Sequence, residues 1–154
     1  MNSQSHLPVF RVDAFVAKGF LGNVACVMPL TEWLDDDQLL RIAADNGVPE
    51  TAYTVKSGSE YQLRWFTPDI EMDLCGHATL AAGHIVLTEL EPDSDFVAFS
   101  SVSGPLKVSR KEGKYAMHLP LRPAASGAPG CHPRCAEHPT VGGAEGPGLC
   151  ARLP

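Results

Sequence analysis

Apolar and polar side chains alternate over residues 9–15, where Val9, Phe10, Val12 and Phe15 surround Arg11 and Asp13, the two-residue period of a strand. A turn at residues 19–23 leads into the apolar run 24–28, which predicts a buried second strand. Thr31 is a candidate N-cap. The acids Glu32, Asp35, Asp36 and Asp37 follow it, and Leu34, Leu39, Leu40, Ile42 and Ala43 supply a core-facing side, so a helix is expected up to the stop signal Asn46-Gly47. The acids then form a solvated face that suits the helix dipole, not a site.

Pro49 marks the entry to a third strand running to residue 55, with Glu50 at its mouth. Residues 61–66 read as a fourth strand, Thr67-Pro68-Asp69 as a turn, and 71–74 as a short strand. Over 78–90 the pattern becomes helical and apolar nearly all round, with Leu80, Ala81, Ala82, Ile85, Val86 and Leu87 interrupted by few polar residues. Such a helix must be enclosed by the sheet rather than lie upon it. Strands at 96–101, 106–110 and 115–119 complete the pattern. The expected fold class is α+β: a curved, mostly antiparallel sheet wrapped around a central helix, and not a doubly wound nucleotide fold.

Composition sets the limits. The chain has 154 residues, the size of one domain, but residues 121–154 hold six of its 13 prolines, six of its 14 glycines and three of its five cysteines, with no aromatic side chain. A segment of that kind buries little apolar surface against its backbone entropy, so a folded unit over 1–120 and a disordered tail over 121–154 are expected. Three arginines against two glutamates give the tail a charge of +1, which leaves −7 of the net −6 for the body. An acidic body without a basic face argues against nucleic acid and anionic membranes as partners. No apolar run has a membrane span's length of about 20 residues and the start of the chain lacks a signal-like core, so the cytosol is the expected location. Cys26 and Cys75 are then expected as free thiols. Cys131, His132, Cys135, His138 and Cys150 do not follow the spacing of paired zinc ligands, and no metal site is expected.

Chemistry concentrates at Leu74-Cys75-Gly76-His77-Ala78-Thr79, where a strand ends and the apolar helix begins. Gly76 permits close backbone approach, Cys75 and His77 bring a thiol and an imidazole, and unpaired amides at a helix N-terminus favour an anion. The plainer reading is a buried thiol and a capping histidine, and on the turn alone the two stand even.

Three blocks together resemble the N-terminal half of the phenazine-biosynthesis PhzF-like isomerase family, which has the diaminopimelate epimerase-like fold. They are Gly22-Asn23 with Val24-Ala25-Cys26-Val27, Val48-Pro49-Glu50-Thr51-Ala52-Tyr53, and Arg64-Trp65-Phe66-Thr67-Pro68 leading to Cys75-Gly76-His77-Ala78-Thr79-Leu80. The resemblance implies acid/base isomerisation of a small carboxylate substrate without any cofactor. In that reading Glu50 moves a proton between carbon positions, His77 binds substrate with the amides of Gly76, His77 and Ala78, and Asn23 fixes the adjacent turn. A carboxylate at the edge of an apolar strand can be partly desolvated, which lets it act in both protonation states. Cys75 resembles the first thiol of the cysteine-based epimerases and racemases of this fold, and a thiol at a helix N-terminus is expected to have a lowered pKa. Glu50 is the favoured base.

The resemblance covers one of the family's two domains, so the opposing wall of the cleft is expected to be missing and activity from this chain alone to be weak or absent. The tail resembles out-of-frame or spliced sequence joined to a truncated half. Two further readings stay open: a cysteine-based epimerase or racemase, and a non-catalytic module that binds a protein or itself. An uncovered domain face predicts a homo-oligomer under each.

Overall fold

The structure is a computed structural model that describes residues 7–119 and 149–151. Strand β1 (Phe10–Ala14) pairs antiparallel with β2 (Asn23–Leu30), bringing Ala14 opposite Asn23 and Val12 opposite Ala25. Gly22 makes the entry to β2. Its φ is +82°, and a Cβ there would lie 2.6 Å from the Ala14 carbonyl oxygen.

Helix α1 (Asp36–Asn46) carries the chain to β3 (Glu50–Ser57), which lies parallel to β2 with Glu50 beside Ala25. The N-cap is Asp35, not Thr31. The Asp35 amide donates to Gln38 Oε1, half of a capping box, and Trp33 and Leu34 ahead of the cap are half-buried against the core. Gly47 ends the helix in the left-handed conformation, as the Asn46-Gly47 signal predicts.

β4 (Glu60–Phe66) returns antiparallel to β3, and β5 (Glu71–Met72), shorter than expected, folds back on its end. Helix α2 (Gly76–Ile85) then crosses to β6 (Phe96–Ser101), which is parallel to β4. The helix begins at Gly76 rather than Ala78, and its last turn, Val86–Leu90, widens to π geometry. β7 (Gly104–Lys111) and β8 (Lys114–His118) extend the sheet antiparallel. Leu149–Ala151 adds β9 against β8. The disorder expected over 121–154 otherwise falls on residues outside the described ones.

The sheet is thus mixed, with antiparallel pairs predominating, and each of its two parallel pairs is bridged by a helix, because parallel neighbours need a crossover. The two crossovers take opposite faces. α1 covers the outer face, where Leu39 and Ala43 meet Met28, Tyr53 and Phe66, and Tyr53 Oη donates to the Leu39 carbonyl at 2.7 Å. α2 fills the inner face as the enclosed central helix expected from its apolar pattern: Ala78, Leu80, Ala81 and Ala82 are fully buried among Ala25, Val27, Ala52, Trp65 and Val108. Each such leucine is worth about 1.5–3 kcal/mol of burial. Gly83 lets the helix come this close, since a Cβ there would stand 2.5 Å from Val108 Cγ1. Among the described residues no helix is long and apolar enough to cross a membrane.

Candidate active site

The inner face of β3 and the first turn of α2 meet at one corner. Glu50, the first residue of β3, shares a face with Ala52, and this face looks toward α2. His77 Nε2 lies 3.0 Å from Glu50 Oε2, with the two side chains 10% and 18% exposed. On the other side of the ring, His77 Nδ1 lies 3.4 Å from Cys75 Sγ. Carboxylate, imidazole and thiol therefore form a short chain with the ring in the middle.

Polar pairing in this chain is incomplete. Glu50 Oε2 and His77 Nε2 are both buried, and despite their closeness neither has an aligned hydrogen-bond partner. Proximity makes them an ion pair only when the ring is protonated. Two buried polar atoms left so cost about 1–3 kcal/mol each, a cost that a bound polar molecule can offset.

The backbone at Cys75 is well anchored. As N-cap it has φ −136° and ψ 111°, and its carbonyl accepts from the Thr79 amide at 3.0 Å and from Thr79 Oγ1 at 2.6 Å. Thr79 is fully buried and anchors the turn, and in the sequence its only sign is a threonine four residues past the cap, within reach of the cap carbonyl.

One expectation for this turn is corrected. The Cys75 thiol is not acidified: burial pushes it up to about 11, the Glu50 carboxylate adds to the rise, and the backbone N–H groups of Ala78 and His77 only partly oppose it. Desolvation outweighs the helix N-terminus because the side chain is buried.

The remaining expected residues surround the corner. Gly76 opens α2, and the protein itself leaves room for a side chain there, with Met117 Cε at 3.6 Å from a built Cβ. Ala78 is fully buried and offers only its backbone. Asn23 is exposed at the first position of β2, on the same sheet face as Ala25, the neighbour of Glu50. It stands at the rim and is not part of the chain of contacts.

Glu50, Cys75 and His77 place their donor atoms within 4.8 Å of one another. The thiol and the carboxylate address opposite nitrogens of one imidazole, so they do not converge on a point as metal ligands must. A cleft of about 420 Å³ lined by Trp33, Gln62, Arg64, Glu71 and Val102 lies around the outer-facing side of β4 and belongs to a different surface. The tail cysteines and histidines lie outside the described residues.

Residues 12–142 match the family model described as phenazine biosynthesis-like protein. An uncharacterized isomerase of Pseudomonas aeruginosa is 46% identical over 116 residues, which are 75% of this chain and 45% of that protein. The crystal structure of a phenazine biosynthesis protein of the PhzF family from Enterococcus faecalis superimposes with a TM-score of 0.69 at 42% identity, covering 76% of this chain and 48% of that one. The structure of a predicted epimerase from Pseudomonas aeruginosa, 19% identical with a TM-score of 0.61, covers 73% of this chain and 42% of that one and extends the likeness in fold alone. The chain thus spans under half the length of the relatives it matches.

Proposed function

The chain belongs to the phenazine biosynthesis-like (PhzC-PhzF) family, and on that premise we propose that it is the proton-transferring half of an isomerase acting on a small carboxylate, without a cofactor. The observation that carries this reading is the buried, incompletely paired contact of Glu50 with His77. Glu50 takes a proton from a carbon of the substrate, the electron pair left behind delocalises toward an oxygen, and the same carboxyl group returns the proton at another carbon. Reactant and product are isomers, and the enzyme ends as it began. His77 is the group beside Glu50 that meets the oxygen on which charge collects. The thiol is a poor base at neutral pH, because its proton stays on until about pH 11, which favours Glu50 over a cysteine-based epimerase mechanism.

A wall opposite Glu50 comes in this reading from a second copy of the chain or from another chain. Phe20 and Leu21, 72% and 93% exposed in the turn that leads to Asn23, are the apolar side chains such a partner would cover. The test is proton–deuterium exchange on small cyclic and amino-acid carboxylates, followed by NMR in D₂O across a range of protein concentrations with size-exclusion chromatography in parallel. Exchange that grows with self-association and vanishes in Glu50→Gln is the expected result. Exchange that vanishes in Cys75→Ser but persists in Glu50→Gln would instead select the cysteine mechanism. Absence of exchange at every concentration leaves the exposed Phe20-Leu21 turn as the mark of a non-catalytic binding module.

A further inference from the structure

A thiol has one proton to give, and the surroundings of Cys75 Sγ decide where it goes. Cys75 makes no capping hydrogen bond with its side chain, and a neutral thiol sulfur accepts only weakly whereas a bare imidazole nitrogen accepts readily. The polar neighbour of the sulfur is His77 Nδ1 at 3.4 Å, a separation suited to a hydrogen bond through sulfur. If Nδ1 carried a proton, it would meet a weakly accepting sulfur, and Nε2 would turn a lone pair toward Glu50 Oε2 at 3.0 Å. If the sulfur were ionised it could accept the Nδ1 proton, but burial and the nearby Glu50 carboxylate keep the thiol protonated.

We propose that Cys75 is a positioning residue: its S–H donates to His77 Nδ1, commits the neutral imidazole to the tautomer with hydrogen on Nε2, and so makes the ring a donor to a substrate oxygen beside Glu50. The free end of the ring fits this role. The His77 side chain is nine-tenths buried, Nε2 has no aligned partner, and Glu50 Oε2 next to it is in the same condition. A fixed N–H beside an unpaired carboxylate offers an oxygen anion a donor and leaves the carboxylate for the C–H bond. With hydrogen on Nδ1 instead, two acceptors, Nε2 and Oε2, would face the substrate and repel its acid group. The consequence for catalysis rests on the proposed function; the tautomer itself does not.

The test is ¹⁵N NMR of the full chain with labelled histidine at neutral pH, His77 being assigned by the signal lost in His77→Gln. The expected spectrum has Nδ1 as a bare nitrogen and Nε2 as a protonated one. Cys75→Ser, whose hydroxyl can also donate, keeps that pattern, and Cys75→Ala loses it to a mixture of tautomers. Titration with acetate should shift the Nε2 signal in the native chain and do so at several-fold higher acetate in Cys75→Ala. Hydrogen on Nδ1 in the native chain, or an unchanged tautomer in folded Cys75→Ala, overturns the proposal. Should Cys75→Ala not fold, the native spectrum alone decides. A correct tautomer without any proton exchange would sink the isomerase reading and leave this one standing, and exchange with the opposite tautomer would do the reverse.

Discussion

Helix α2 carries a histidine near each end, and the two live under opposite rules. His84 Nδ1 lies 2.9 Å from Tyr115 Oη, the rings meet edge to face at 5.4 Å, and burial lowers the histidine's pKa so that it stays neutral. His77, seven residues earlier, holds Cys75 on one side but leaves Nε2 unaligned against an equally unpaired carboxylate oxygen. At the C-terminal end polar groups are brought in already satisfied, as a core requires. At the N-terminal end two are left for something else to satisfy. Residue type does not separate the two histidines; the state of their partners does.

The strongest way to break that contrast is Glu50→Gln. A lost general base costs about 10²–10⁴ in rate, while stability should hardly change, because Glu50 Oε2 has no aligned hydrogen bond to lose. Exchange rates and thermal melts of the same preparation check both halves; full exchange in the variant, or a collapsed melt, defeats the assignment. Gly83→Ala should do the opposite at the other end. Its Cβ would sit 2.5 Å from Val108 Cγ1, so overpacking should cost about 1–3 kcal/mol in a urea titration without changing exchange per folded molecule. Val108→Ala in the same chain should recover part of that loss, and failure to do so would place the strain elsewhere.

Much of this contrast was legible beforehand, though not evenly. The enclosed nature of α2 followed from Leu80, Ala81, Ala82 and Ile85 having no polar stripe to offer water, a local property of the sequence. The nearness of Glu50 and His77 came from family resemblance, because nothing local ties residue 50 to residue 77. Thr31 and Asp35 are both capping residue types, and what selects Asp35 is the reach of Gln38 and the half-burial of Trp33 and Leu34, which residue type alone does not encode. Which pairs are parallel, β2 with β3 and β4 with β6, depends on where each crossover helix packs, which alternation does not encode. The direction of the Cys75 shift was missed because the helix N-terminus is visible in the sequence and the depth of burial is not.

That shift gives the next prediction. The folded-state pKa of Cys75, about 11, lies above the ordinary value of 9.0. The folded chain therefore holds a proton that the unfolded chain gives up first, so the stabilisation is full below pH 9 and is lost as pH rises from 9 toward 11. The rise from 9.0 to about 11 corresponds to about 2–3 kcal/mol across that window. Denaturant midpoints at the two ends of that window should fall more in the native chain than in Cys75→Ser; equal falls would mean the sulfur titrates as if in water.

The smallest effect is expected where the contrast is drawn, at Tyr115. Removing its hydroxyl in Tyr115→Phe deletes one partly buried hydrogen bond and keeps the ring against His84, so the cost at pH 8 should be about 1 kcal/mol. Acid sensitivity at this end has another source. Burial, assisted by Arg110, lowers the pKa of His84 below its ordinary 6.5. The unfolded chain therefore binds the proton first, and stability is full above pH 6.5 and is lost as pH falls through that value toward the lower folded one. Tyr115→Phe keeps burial and Arg110 and should retain this slope, whereas His84→Gln should flatten it, both read from urea midpoints at pH 8 and pH 5.5. Neither variant touches Glu50, Cys75 or His77, so exchange per folded molecule should stay at the native rate. If Tyr115→Phe suppresses exchange as Glu50→Gln does, the two ends of α2 are coupled, and the division between a satisfied core end and an open site end fails.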